Sequence, residues 1–207
     1  RGEAVEAHTM SQAEIDQVIA DFAAAARRVK AAGYDGVEIH SAHGYLLNQF
    51  YSPISNRRED SYTGETIEGR TRLHCQVISA VREAVGPDFL VALRLGACDY
   101  QEGGSTQADA VAACKIFEAA GIDLLDISGG LCGYRGDGSK IPGYFGNESQ
   151  AIREAVSVPV ILTGGVRTGL AAETLLEEGK ADLIGVGRSV LKDSSWAKKA
   201  FVELGIE

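Results

Sequence analysis

Two imidazoles, a phenol and a guanidinium are the side chains here best suited to hold charge or move a proton, and three of the four share one short string. Val37-Glu38-Ile39-His40-Ser41-Ala42-His43-Gly44-Tyr45 begins as an apolar, β-branched run and ends in polar groups. Strand side chains alternate, so Val37 and Ile39 fall on one face and Glu38 and His40 on the other. A polar face on an otherwise buried strand is costly unless its groups are paired or working. Three readings compete for His40, His43 and Tyr45: a metal site, an acid–base set, or satisfied polar groups of the core. The core reading usually wins for a lone histidine. Two imidazoles three residues apart at a strand's carboxyl end, with a tyrosine two further on, favour function. Metal is the weaker functional reading, because no third ligand stands at a persuasive spacing, although Glu38 stays open as one.

Arg94 closes the run Val91-Ala92-Leu93-Arg94 on the same alternate face, between the small residues Ala92 and Gly96. That leaves room for a flat ligand beside a fixed positive charge. An interior ion pair with Glu38 or Asp126 accounts for the spacing equally well. The last third of the chain carries two glycine motifs, Leu162-Thr163-Gly164-Gly165 and Gly185-Val186-Gly187-Arg188, each after a strand and leading into a helix. Glycine lets a phosphate approach backbone N–H groups, a helix start adds partial positive charge, and Arg188 offers a bidentate partner. A plain turn explains either motif alone; the pair on consecutive strands favours an anion site.

The elements that must position these residues alternate. Ser11 and Glu14 have the spacing of a capping box ahead of a helix from Ser11 to Ala32 that Gly33 ends. The string around His40 follows as a strand, and then a long loop through Pro53 to Gly64. The pattern next predicts helix Thr66 to Val85, strand Phe89 to Leu95, helix Thr106 to Ala120, strand Leu124 to Ser128, helix Glu148 to Val156 and strand Val160 to Thr163. It closes with helix Gly169 to Glu178, strand Leu183 to Val186 and a helix near Ser195 to Leu204. No two strands are adjacent, which is the sign of a parallel sheet covered by helices. Glu38, His40, Arg94, Asp126 and Ser128 share one parity and Val37, Ile39, Leu93, Leu95, Leu125 and Ile127 the other, as the inner and outer faces of a barrel require. Five strands stand where a complete barrel has eight. The expected fold is therefore α/β, the C-terminal part of a (β/α)8 TIM barrel forming one domain over residues 1–207, with roughly three βα units missing from its front. A start at Arg1 rather than Met fits a fragment. The common phosphate site of such barrels lies after strands seven and eight, where the two glycine motifs would fall.

Composition excludes several classes of partner. The 207 residues carry a formal charge of −9 with no basic cluster, which argues against nucleic acid. No apolar run reaches membrane-spanning length. Cys75, Cys98, Cys114 and Cys132 stand far apart with no C-x-x-C pair, as reduced thiols in a cytoplasmic protein do.

The string Glu38 to Phe50, followed by Ser52-Pro53 and Asn56-Arg57-Arg58-x-Asp60-x-Tyr62, closely resembles the old yellow enzyme family of FMN-dependent ene-reductases and NADH:flavin oxidoreductases. The resemblance runs on through Arg94, Asp123 to Asp126, Thr163-Gly164-Gly165 and Gly187-Arg188. It implies a barrel binding FMN at its carboxyl end, NADH or NADPH as hydride donor, and a small-molecule substrate such as an enone or nitroalkene. By the same resemblance His40 and His43 hydrogen-bond the substrate's carbonyl or nitro oxygen and Tyr45 donates a proton. Arg94 would sit by flavin N1 and the C2 carbonyl, while Gly164, Gly165, Gly187 and Arg188 hold the phosphate. Metal has no place in this set. Thr63-Gly64-Glu65 replaces the usual Gly-Gly-Ser, and Glu68-Gly69-Arg70 the usual Glu-Asn-Arg; both departures concern local structure more than chemistry. The first strands of the family, which supply further flavin contacts, and the iron–sulfur segment of its larger members have no counterpart here. Two other readings stay open: a flavin-free phosphate-binding lyase or isomerase, and an inactive partial barrel whose open edges pair with another chain or copy as a homo-oligomer.

Overall fold

A computed structural model describes residues 8–133 and 141–206. Five strands, β1 (Gly36–Ser41), β2 (Leu90–Cys98), β3 (Leu124–Gly129), β4 (Val160–Thr163) and β5 (Leu183–Gly185), pair in that order and all in parallel. The helices are α1 (Gln12–Ala31), α2 (Leu46–Tyr51), α3 (Ile67–Val85), α4 (Gln107–Ala119), α5 (Gly146–Arg153), α6 (Gly169–Glu177), α7 (Arg188–Lys192) and α8 (Trp196–Glu203). The chain is an arc of a (β/α) barrel, and within the described residues β1 and β5 each pair along one edge only. No described helix is long and apolar enough to cross a membrane.

Local sequence explains the boundaries. Ser11 accepts from Glu14 N while Glu14 accepts from Ser11 N at 2.7 Å, a reciprocal cap repeated by Thr106 and Asp109 at the start of α4. Gly33 and Gly121 take the left-handed conformation past the ends of α1 and α4. β2 runs three residues further than the sequence pattern predicts, α5 sits two to three residues earlier, short α2 lies where no periodic run could announce it, and short α7 begins at Arg188, where the second glycine motif leads into a helix.

Register confirms the parity. Val91, Leu93, Leu95, Leu125, Ile127, Val160 and Leu162 are fully buried beneath the helices, in one core with Leu73, Val77, Ile78 and Val81 of α3 and Ala110, Ala113 and Phe117 of α4. Burial of this helix-facing layer is the main stabilising term, about 1.5–3 kcal/mol per large apolar side chain. The opposite face holds His40, Arg94, Asp126, Ile161 and Leu183 in one row across all five strands. Ile161 is half-buried and Leu183 exposed, as on the open inside of an arc.

The Pro53–Gly64 stretch is ordered by its own side chains. Asn56 donates to Phe50 O and Tyr62 O, both at 2.8 Å, Arg58 reaches Met10 O and pairs with Asp60, and Asp60 accepts from Tyr62 N. A Cβ on Gly69 would lie 2.7 Å from the Thr63 side-chain methyl, so the threonine and the glycine fit each other as a pair of departures.

Candidate active site

Parallel pairing puts the carboxyl ends of all five strands on one rim, and every candidate residue lies on it or just below. His40 is the fifth residue of β1 and the register partner of Arg94, which in turn partners Asp126. After β1 the chain makes a tight turn in which His43 (φ 61°) and Gly44 (φ 78°) are both left-handed. That conformation is unfavourable for histidine. It is held by His43 N donating to Gly129 O, Tyr45 N to Ala42 O, and Gly44 N to the buried Asn48 side chain at 2.7 Å. The turn brings the rings together: His40 to His43 centroids are 5.2 Å apart and His40 to Tyr45 5.3 Å. Tyr45 heads α2 and is 63% exposed, the half-buried His40 ring has no hydrogen-bond partner among the described residues, and His43 Nε2 lies 2.7 Å from Ser128 Oγ.

Electrostatics keeps both imidazoles neutral. Partial burial, then the positive charge of Arg94, lowers His40 below the usual histidine range. The same causes, with His40 added, push His43 down to about 4. Neutral imidazoles each retain one N–H to offer an oxygen that gains negative charge. Arg94 itself lies 3.2 Å from Asp126 through Nε, close enough for an ion pair but without an aligned hydrogen bond. Asp126 also accepts from Thr163 Oγ1 at 2.6 Å. Burial raises the Asp126 carboxyl above its ordinary range, with Arg94 and Thr163 opposing.

At the far side of the rim, Gly164 (φ 153°) and Gly165 (φ 70°) follow β4, and Gly187 and Arg188 follow β5. The N–H groups of Gly165 and Gly187 donate to no acceptor among the described residues, and a Cβ at Gly187 would meet nothing within 4 Å. Those N–H groups with the Arg188 guanidinium suit a phosphate. Tyr144, which the sequence pattern does not single out, lies against this loop. Cβ atoms at Gly164 and Gly165 would fall 2.9 and 2.8 Å from its ring, and its hydroxyl accepts from Arg188 Nη2 at 2.9 Å. The two glycines therefore serve packing by Tyr144 as well as backbone access. α7 has only five residues, so backbone donors and Arg188 carry the attraction rather than a helix end.

Asp99 is the other residue that sequence reasoning passed over. Fully buried, it accepts from Ser52 Oγ at 2.6 Å, Ser105 N at 2.8 Å and Leu131 N at 2.7 Å, tying together the loops that leave β1, β2 and β3. Only its place just past a strand could have flagged it. Among the described residues no three His, Cys, Asp or Glu side chains gather as a metal site would.

Comparison with known proteins identifies the family to which this fold belongs. The profile of the NADH:flavin oxidoreductase / NADH oxidase family matches residues 1–206. An NADPH dehydrogenase of Bacillus licheniformis is 41% identical over 196 residues, covering 94% of this chain and 56% of the relative. A metal reductase of Desulforamulus reducens is 37% identical over 92% of this chain and 29% of its own length. The chain thus spans about half or less of these relatives. Among solved structures, morphinone reductase in complex with tetrahydroNAD superposes with a TM-score of 0.78 at 26% identity, over 97% of this chain and 52% of that one. An old yellow enzyme homologue from Zymomonas mobilis gives 0.77 at 26% identity over 97% and 56%. This chain is a member of the NADH:flavin oxidoreductase / NADH oxidase family, that of old yellow enzyme, and forms part of its barrel.

Proposed function

We propose that this chain carries the substrate-facing half of an FMN-dependent oxidoreductase that passes hydride from NADH or NADPH to an activated alkene such as an enone or nitroalkene. The observation that supports it most is the gathering of neutral His40 and His43 with Tyr45 on the rim that also carries Arg94 and the glycine–Arg188 loop. Bound and reduced, FMN supplies the hydride. His40 and His43 donate hydrogen bonds to the substrate oxygen, which gains negative charge as hydride arrives at the β-carbon, so the interaction strengthens along the reaction. Tyr45 donates its phenolic proton to the α-carbon, and its exposed place at the head of α2 leaves it accessible to substrate. Arg94, already beside Asp126, would supply fixed positive charge to a bound flavin, and Gly164, Gly165, Gly187 and Arg188 would hold its phosphate.

The test is direct. The purified protein, reconstituted with FMN, is expected to show bound-flavin absorbance, to bleach with NADPH or NADH without oxygen, and to recolour on adding cyclohexenone or a nitroalkene. Protein that takes up no FMN would favour a flavin-free phosphate-binding barrel instead.

A further inference from the structure

Ser128 and His43 meet across the rim between β3 and the turn after β1, with Oγ and Nε2 2.7 Å apart. The serine is 1% exposed, and among the described residues His43 is its side chain's one hydrogen-bond partner. A hydroxyl carries one proton and two lone pairs. Leaving a buried O–H without an acceptor is costly, whereas leaving one lone pair unused is tolerated. Ser128 therefore donates and Nε2 accepts. The turn prevents the ring from escaping this contact, since the backbone N–H of His43 is bonded to Gly129 O at 3.2 Å, one residue beyond Ser128.

We propose that Ser128 is a positioning residue that fixes His43 as the tautomer protonated on Nδ1, so that Nδ1–H is the group His43 offers to a substrate oxygen. The inference rests on the reading of His43 as a substrate donor. A neutral imidazole has one N–H and one lone pair, and which nitrogen holds the proton is set by what the other one bonds. With Nε2 committed to Ser128 as acceptor, the proton is held on Nδ1. Without the hydroxyl, the Nε2–H form becomes accessible, and it presents a lone pair from Nδ1 to an oxygen that is itself an acceptor. The low protonation point of His43, about 4, means that tautomer rather than charge decides its donor capacity near neutrality.

Nitrogen-15 NMR of the FMN-loaded protein labelled at histidine tests this. Near pH 7 the His43 signals are expected to show an unprotonated, accepting Nε2 and a protonated Nδ1. Ser128→Ala should move both toward the Nε2–H pattern and weaken 4-nitrophenol binding by up to about tenfold, and Ser128→Thr should restore both. A wild-type spectrum with the proton on Nε2 would overturn the proposal without any variant. Unchanged His43 signals in Ser128→Ala would do the same. His43→Ala separates the two layers: undiminished 4-nitrophenol affinity removes His43 as a donor and the functional half of this inference with it, whereas weakened affinity alongside an Nε2–H spectrum removes only the role of Ser128.

Discussion

Arg94 on β2 and Asp126 on β3 are register partners whose side chains lie 3.2 Å apart, and His40 is the next residue along the same row. The ion pair moderates the positive charge of Arg94, which acts on both imidazoles. Removing Arg94 alone would strand a buried carboxylate, at a cost of roughly 3–5 kcal/mol. The double change Arg94→Met with Asp126→Asn avoids that. Loss of the nearby cation favours protonated imidazole, so the His43 pKa should rise from about 4, followed by proton NMR titration. An unmoved pKa would mean that burial and His40 set it without Arg94.

Arg188 and Tyr144 form the second relationship with a measurable consequence, through their 2.9 Å contact. Arg188→Ala should weaken FMN binding roughly 10- to 100-fold, the range for loss of charge-assisted hydrogen bonds. Tyr144→Phe keeps the ring against Gly164 and Gly165 but loses the hydroxyl, and should give a smaller loss, both variants being read by fluorescence titration with FMN. Full FMN retention by Arg188→Ala would place the phosphate elsewhere.

His74 predicts acid sensitivity. It is fully buried in α3, its Nε2 lies 2.7 Å from Ser41 Oγ, its ring stacks on Phe117, and burial holds its pKa near 3. The unfolded chain has an ordinary histidine value of about 6.5. Between the two values the unfolded state binds the extra proton, so the stability contributed by neutral His74 is complete above about 6.5 and is lost as pH falls toward 3. His74→Gln should flatten the dependence of Tm on pH in that window. An equally steep dependence would assign the acid sensitivity to other groups.

Much of this was legible in the residues because alternation and capping are local. The parity of His40, Arg94, Asp126 and Ser128 needed only the period of two, and Ser11, Glu14 and Gly33 mark α1 by rules that act within a few residues. What escaped was set by distant contacts or by segments too short to show a period. α2 spans six residues, and Asn48 matters because it caps the turn at Gly44. Tyr144 acquires meaning from glycines some twenty residues on, and Asp99 from three loops that only the folded sheet brings together. The motif Asn56 to Tyr62 helped to recognise the family, yet its side chains brace a loop rather than line the site.

The most direct measurement separates the two halves of catalysis in Tyr45→Phe by anaerobic stopped flow. Removing the phenolic proton should leave NADPH reduction of bound FMN near its wild-type rate and slow reoxidation by an enone by about 10²- to 10⁴-fold. Equal losses in both half-reactions, or none in either, would contradict the role given to Tyr45 at the rim it shares with His40 and His43.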